Sequence, residues 1–241
     1  MTPRKRTSSP AAAGPTGVDE TSAVFGAAAH EIKNALGPLA MTLQLAERQA
    51  LTGQPVAHAD LAFARAQVQR ISRLVVDLMD LTRADLGQLV IHPAPCDLRA
   101  TIASAVETFR RGHPSDITLE LPNGAMPMSF DAARVEQVVL NLLENAARYS
   151  PAGAPVVVEL SRTTAFARIA VRDRGPGVAD HEQARIFERF VRGAAARATQ
   201  NGGLGIGLYL CRLIVERHGG AIGVDSVPGA GASFWFELPC R

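Results

Sequence analysis

Apolar residues at Phe25, Ala29, Ile32, Leu36, Leu39, Leu43 and Ala46 follow one another in alternating steps of four and three. That spacing keeps a single stripe on one face of a helix, as in a heptad seam. Thr52-Gly53-Gln54-Pro55 interrupts the stripe, and a second one runs through Leu61, Ala64, Val68, Ile71, Val75 and Leu78. Two such helices joined by a short break predict an antiparallel hairpin. A hairpin alone cannot enclose a core, so pairing with a second copy into a four-helix bundle is expected, which makes the protein a homodimer. Pro38, after Gly37, sits inside the first stripe. It removes a backbone donor and predicts a bend there, as a packing kink or as part of a domain movement.

Past Leu86-Gly87 the pattern changes to short alternating runs mixed with helical spacing. It predicts strands at 88–92, 117–121, 126–130, 156–160, 167–172, 221–226 and 232–238, and helices at 97–110, 131–149 and 206–218. A loop-rich stretch extends to residue 203. Strands interspersed with helices, without regular βαβ alternation, predict an α/β sandwich with helices on one face of a mixed sheet. The fold class is therefore α+β, a helical hairpin followed by this sandwich. Residues 1–20 are rich in Pro, Ser, Ala, Gly and Thr and are predicted to be a disordered tail. Residues 21–87 form the dimerisation hairpin, and residues 88–241 the second domain.

Composition narrows the function classes. The net charge of +2 and two short basic runs, Arg4-Lys5-Arg6 and Arg110-Arg111, give no case for nucleic acid. Cys96, Cys211 and Cys240 are odd in number and widely spaced, which argues against a disulfide framework or zinc site and for a reducing compartment. No run of eighteen apolar residues and no leucine-rich leader occurs. A cytoplasmic protein without a membrane span is expected.

Candidate chemistry lies in four motifs. His30-Glu31-x-x-Asn34 places a histidine beside the seam, with Asn34 one turn further along the same surface. A neutral imidazole is a nucleophile, Glu31 can orient it or accept its proton, and Asn34 can position a water against a phosphoryl group. Taken alone, such a histidine is more often surface decoration than a nucleophile, and it is the motifs downstream that reverse this. Asn141 and Asn145 are also one turn apart, in an apolar run where polar amides need a partner; their carbonyl oxygens suit Mg²⁺ bridging phosphates. Arg148 can meet a phosphate and Tyr149 can stack on a base. In Asp173-x-Gly175-x-Gly177 the carboxylate can accept a hydrogen bond from an adenine amino group, and the glycines admit the ring. Gly203-x-Gly205-x-Gly207 precedes a helix whose first amides can cradle phosphate. It lacks the Gly-Lys-Ser/Thr of a P-loop and does not complete a dinucleotide fingerprint. Residues 194–200 read as a lid based on Phe187 and Phe190, with Arg192 and Arg197 within reach of phosphates or simply solvated.

Five motifs in this order resemble the transmitter core of a two-component sensor histidine kinase with a GHKL-type ATP-binding domain, over about residues 22–239. The H-box is matched by His30-Glu31-Ile32-Lys33-Asn34, the N-box by residues 141–149 and the G1 box by Asp173-Arg174-Gly175-Pro176-Gly177. The F-box is matched by Arg185-Ile186-Phe187-Glu188-Arg189-Phe190 and the G2 box by residues 202–208. The resemblance implies that His30 is the phosphoacceptor, Glu31 its base, and Asn34 a residue for dephosphorylating a partner. It also implies that Asn141 and Asn145 hold Mg²⁺, that Asp173 recognises the adenine of ATP, and that the phosphoryl group passes to an aspartate of a response-regulator receiver domain. ATP-hydrolysing relatives carry Glu where Asn141 stands, and an amide cannot act as base for water. The nucleophile must then come from elsewhere, which suits His30. The chain departs from the family at Ala29 and Ala35, where Ser and Pro are usual, at Leu204 in place of Ser or Thr, and at Ala232 in place of Thr. These touch rate and the kinase-to-phosphatase balance. No sensor segment is recognisable, so input is expected in trans from a separate sensor protein, through the dimer helices, or by expression level. The rival readings are a dimeric scaffold with a degenerate nucleotide site and a phosphatase-dominant protein.

Overall fold

The computed structural model describes residues 17–113, 116–193 and 204–240. Helices α1 (Gly17–Leu51) and α2 (His58–Asp85) pack along each other as the predicted hairpin. The first begins at Gly17, inside the stretch expected to be a tail; residues 1–16 lie outside the described residues. The α-helix continues through the exposed Pro38, whose nitrogen carries no proton to donate to the Asn34 carbonyl.

The face of α1 turned to α2 keeps Ile32, Leu39 and Ala46 of the predicted seam but takes Ala28 and Ala35 in place of Ala29 and Leu36. Ala28 and Ala35 are 1% exposed and Leu39 9%, whereas Leu36 and Leu43 are 48% and 49% exposed. Alanines at the contact let the two helices approach closely. The larger Leu36, Leu43, Leu61, Val68 and Val75 are left on an outer apolar face.

After the hairpin, the predicted strand at 88–92 is irregular chain outside any ladder. The strand lies later, as β1 (Ala94–Asp97), paired antiparallel with β3 (Pro127–Phe130) in a two-stranded sheet. Leu89 anchors the preceding stretch in the core, and the His92 amide donates to Asp131 Oδ2 at 2.9 Å. Helix α3 (Leu98–Gly112) starts where Asp97 Oδ1 accepts from the Arg99 amide at 3.0 Å. Helix α4 (Ala132–Tyr149) starts where Asp131 Oδ1 accepts from the Arg134 amide at 3.2 Å. Both are N-cap carboxylates that satisfy orphan helix donors.

Five strands make the main sheet: β2 (Ile117–Glu120), β4 (Val156–Arg162), β5 (Phe166–Asp173), β6 (Ala221–Ser226) and β7 (Ala232–Pro239). Their order is β2-β4-β5-β7-β6, parallel between β2 and β4 and antiparallel elsewhere, a mixed sheet as expected. The loop-rich stretch contains one short helix, α5 (Asp180–Gln183), and a 3-10 turn (Arg185–Phe187). Helix α6 (Gly207–Arg217) follows. Alternate residues of β7, Ala232, Phe234, Phe236 and Leu238, are buried, as are Ala167, Ile169 and Val171 of β5. They form one core with Val135, Val138, Val139, Leu142 and Leu143 of α4 and with α3 and α6. Each Val, Leu, Ile or Phe among them contributes about 1.5–3 kcal/mol by leaving water.

The second half of α2 packs on this domain. Leu81 joins Ile206 and Leu210 in a small apolar cluster, with Leu78, Phe190 and Tyr209 at its margin. Asp80, 3% exposed, accepts from Arg134 Nη1 at 2.6 Å and from Gln137 Nε2 at 2.9 Å. Arg73 pairs with Glu144 at 2.6 Å, and Arg189 donates to both oxygens of Asp85 at 2.9 Å. These contacts, which run from α2 to α4 and to the stretch before residue 194, had no counterpart in the sequence reading.

Candidate functional site

His30 and Asn34 are exposed on α1, one turn apart. Glu31 is half-buried and reaches α2, where Arg70 Nη2 lies 2.7 Å from its Oε2. The hairpin thus offers an accessible imidazole with a carboxylate beside it in sequence.

A cavity of 390 Å³ opens on the second domain between α4, the end of β5 and the start of α6. Of the residues singled out in the sequence, Asn145, Arg148, Tyr149, Asp173, Gly177, Arg192 and Gly205 line it. The apolar half-turns of α4 are buried in the core, so its polar residues at 145 and 148 are left on the cavity side. Asp173 ends β5, and its Oδ1 accepts from the Gly175 amide at 2.7 Å. Burial pushes the Asp173 carboxyl above its ordinary value, while the Gly175 and Ala232 amides oppose that shift. The group is positioned as an acceptor at the wall of a partly desolvated hole.

Two glycines shape this cavity by necessity. Gly177 has φ +74°, and a Cβ there would lie 2.4 Å from the Val227 carbonyl oxygen. Gly205 has φ +71°, and a Cβ there would lie 2.9 Å from the Val191 carbonyl oxygen. Only glycine meets both conditions without strain. Phe190, held at φ +65°, packs in the cluster with Leu81, while Phe187 is in the main core, edge-on to Phe234 with ring centroids 6.4 Å apart. The two rings expected at the base of the lid therefore anchor different clusters.

Asn141 does not line the cavity. It lies one turn from Asn145 against the first residue of α6, 3.5 Å from where a Cβ of Gly207 would be. Its Nδ2 is buried with only the Cys211 sulfur beside it as a weak partner. A buried amide so poorly satisfied is costly, and its oxygen and nitrogen ends can exchange places. The pair Asn141 and Asn145 therefore fits a hard divalent cation held by amide oxygens together with phosphate oxygens. No cluster of three His, Cys, Asp or Glu side chains suited to a metal occurs among the described residues, so such an ion would depend on those amides and on its ligand. Gly175 supports Asp173 from behind and does not face the cavity. Gly203, Arg197 and the lid at 194–200 lie outside the described residues.

Sequence reading placed Ile186 in the F-box without giving it a role, and passed over Val191, Pro228 and Phe234, which with it supply apolar wall, and Glu182 on α5. Their signal is only that apolar side chains flank the glycine motifs; nothing in local spacing marks them as cavity residues.

Two family descriptions match the chain. Residues 21–87 match the His Kinase A (phospho-acceptor) domain, and residues 130–241 the histidine kinase-, DNA gyrase B- and HSP90-like ATPase. The signal transduction histidine-protein kinase/phosphatase MprB of Mycobacterium sp. (strain KMS) is 37% identical over 224 residues, 89% of this chain and 42% of that protein. The same-named protein of Mycolicibacterium smegmatis is 38% identical over 222 residues, 88% of this chain and 44% of its own length. The chain thus spans under half the length of these curated relatives. Among solved structures, a mycobacterial sensor histidine kinase MprB is 32% identical with a TM-score of 0.55, covering 61% of this chain and 99% of that one. Full-length ShkA in complex with AMPPNP is 26% identical with a TM-score of 0.59, covering 91% of this chain and 46% of that one. An exposed histidine on a helical hairpin, a mixed-sheet domain with an Asp-walled cavity, and these matches agree: the chain belongs to the sensor histidine kinases.

Proposed function

We propose that the protein binds Mg-ATP in the 390 Å³ cavity and transfers the γ-phosphoryl group to His30, from which it passes to an aspartate of a response-regulator receiver domain. The observation that carries this reading is the joint presence, in one chain, of an exposed His30 flanked by a carboxylate and a cavity walled by Asp173, Tyr149 and Arg148. Asp173 would accept a hydrogen bond from the adenine amino group, and Tyr149 would pack on the base. Arg148 would meet phosphate oxygens. Asn141 and Asn145 would hold Mg²⁺, which supplies neutralisation of phosphate charge when bound. ShkA, solved with AMPPNP, supports an adenine nucleotide as the occupant.

One ring nitrogen of His30 would attack the γ-phosphorus in line while ADP departs with the bond pair, and Glu31 would accept the proton lost from the ring. Both groups lie on α1 and the cavity belongs to the second domain, so the transfer runs between domains, and movement of the second domain would bring the two into line. The α2 contacts with Arg134, Glu144 and Arg189 would be broken or remade in that movement. The outer apolar face of Leu36, Leu43, Leu61, Val68 and Val75 supports a homodimer built as a four-helix bundle. No helix among the described residues is long and apolar enough to cross a membrane. The ATP substrate and the three free cysteines support action in the cytoplasm. The kinase/phosphatase name of the mycobacterial relatives supports a second activity, removal of the phosphoryl group from the receiver, with Asn34 positioning the water.

The test is incubation of the purified protein and of His30→Gln with γ-labelled ATP and Mg²⁺. Label that is acid-labile, alkali-stable and confined to the wild type supports the reading. ATP binding without label on either protein favours the scaffold reading.

A further inference from the structure

His30 and Glu31 are neighbours in sequence, and adjacent side chains on a helix diverge by about 100°. Adjacency alone therefore does not bring the Glu31 carboxylate to the imidazole. A free glutamate on a helix surface samples many rotamers, and fixing one of them at the moment of reaction has an entropic cost. In this structure that carboxylate is not free. Arg70, on α2 and thirty-nine residues away in sequence, donates from Nη2 to Glu31 Oε2 at 2.7 Å across the hairpin, and both side chains are half-buried.

The bond is monodentate. It engages Oε2, so Oε1 keeps its lone pairs for a ring N–H of His30. Arg70 lies on the opposite helix, so its hold on Glu31 depends on how α1 and α2 are set against each other. Ala28 and Ala35 of α1 and Ala64 of α2 are buried in the hairpin, and such small side chains leave room for the guanidinium to cross between the helices.

We propose that Arg70 is a positioning residue for phosphorylation of His30: it holds Glu31 by Oε2 so that Oε1 takes the ring proton as phosphorus bonds to the opposite ring nitrogen. This rests on the reading of His30 as phosphoacceptor and Glu31 as its base. In the step, the nitrogen–phosphorus bond forms, the bond from phosphorus to the leaving oxygen breaks with its electrons going to ADP, and the ring N–H proton goes to Oε1. Arg70 exchanges no proton and touches neither the substrate nor the imidazole. Its effect is to fix the acceptor before the reaction, a contribution of orientation rather than of chemistry.

The experiment compares initial rates of His30 phosphorylation across ATP concentrations for wild type, Arg70→Ala, Arg70→Lys, Glu31→Gln and the Glu31→Gln/Arg70→Ala double variant. Loss of the base costs about a hundredfold or more in kcat. Arg70→Ala is expected to lower kcat about tenfold with KM for ATP unchanged, because the nucleotide cavity is on the other domain. Arg70→Lys, which keeps one cationic donor, is expected to recover most of the loss. In the Glu31→Gln background, Arg70→Ala is expected to change the rate by less than about twofold, since there is no longer a base to position. A purely structural role would raise KM or lower the rate equally in both backgrounds. Unchanged or faster kinetics in Arg70→Ala, alongside a deep loss in Glu31→Gln, overturns the positioning role alone. An equal loss from Arg70→Ala in both backgrounds does the same. A Glu31→Gln variant as fast as wild type overturns the base assignment and this proposal with it.

Discussion

Replacement of Asp80 by Ala probes the seam between the hairpin and the second domain. Asp80 is 3% exposed and accepts two hydrogen bonds at Oδ2, from Arg134 Nη1 at 2.6 Å and Gln137 Nε2 at 2.9 Å. Removal of the carboxylate leaves the Arg134 guanidinium, 19% exposed, with Gln137 Oε1 at 2.8 Å as a remaining acceptor. Breaking one side of a buried ion pair costs about 3–5 kcal/mol, and the residual bond and partial exposure place this case at the lower end, about 3 kcal/mol. That cost falls on the docking of α2 rather than on the sheet core, since Asp80 touches α4 from outside it. Native-state hydrogen exchange reads it directly: amides in the second half of α2 are expected to exchange about a hundredfold faster in Asp80→Ala, with those of β5 and β7 unchanged. Arg134→Ala should give a similar loss, and the double variant little more than either. Strict additivity, to within about 0.5 kcal/mol, would refute the coupling.

Three further outcomes follow from single residues. Burial first, then the Glu144 and Asp80 charges, push the Asp77 carboxyl up to about 7, with Arg73 opposing. The folded form thus holds its proton more tightly than the unfolded chain, so stability falls as pH rises from about 4 to 7; Asp77→Asn should flatten that slope and stabilise the protein at pH 8 in urea denaturation, by at most about 4 kcal/mol, and an unchanged slope would contradict the assignment. Gly177→Ala must strain a φ of +74° and displace the Val227 carbonyl, so ATP affinity measured by calorimetry should fall at least tenfold and the melting temperature should drop. The fully buried Cys211 thiol, pushed up to about 12 by burial, should resist alkylation at pH 8 in the native protein, while the partly exposed Cys96 and Cys240 react; mass spectrometry of the labelled peptides decides it.

Where local spacing dictates structure, the sequence was legible. The three-and-four spacing of Val135, Val138, Val139, Leu142 and Leu143 marks the buried face of α4, and the alternation of Ala232, Phe234, Phe236 and Leu238 marks β7. The first strand was misplaced because β1 contains Pro95 and pairs only with β3, at a ladder a proline would be expected to avoid, while the apolar Leu89 and Val90 read as a strand. Half of the α1 seam was misread because alanine carries little pattern: Ala28 and Ala35 are buried beside Leu39, which the seam did contain, while the larger Leu36 and Leu43 drew the stripe outward. Most of the cavity's polar residues were legible because motif spacing places them; its apolar wall and the ion pairs of Asp80 and Asp85 join residues 54 and 104 apart, which no local pattern encodes. The contact of Arg70 with Glu31 was hidden for the same reason.

The most direct test of the account is to map the phosphoryl group after reaction with Mg-ATP, by tandem mass spectrometry of peptides kept at alkaline pH. The account predicts one phosphorylated residue, His30, carrying the group as a phosphoramidate that vanishes on acidification and is absent when Asp173 is replaced by Asn. Phosphate on a serine, threonine or aspartate, or on another histidine while His30 stays unmodified, would contradict it.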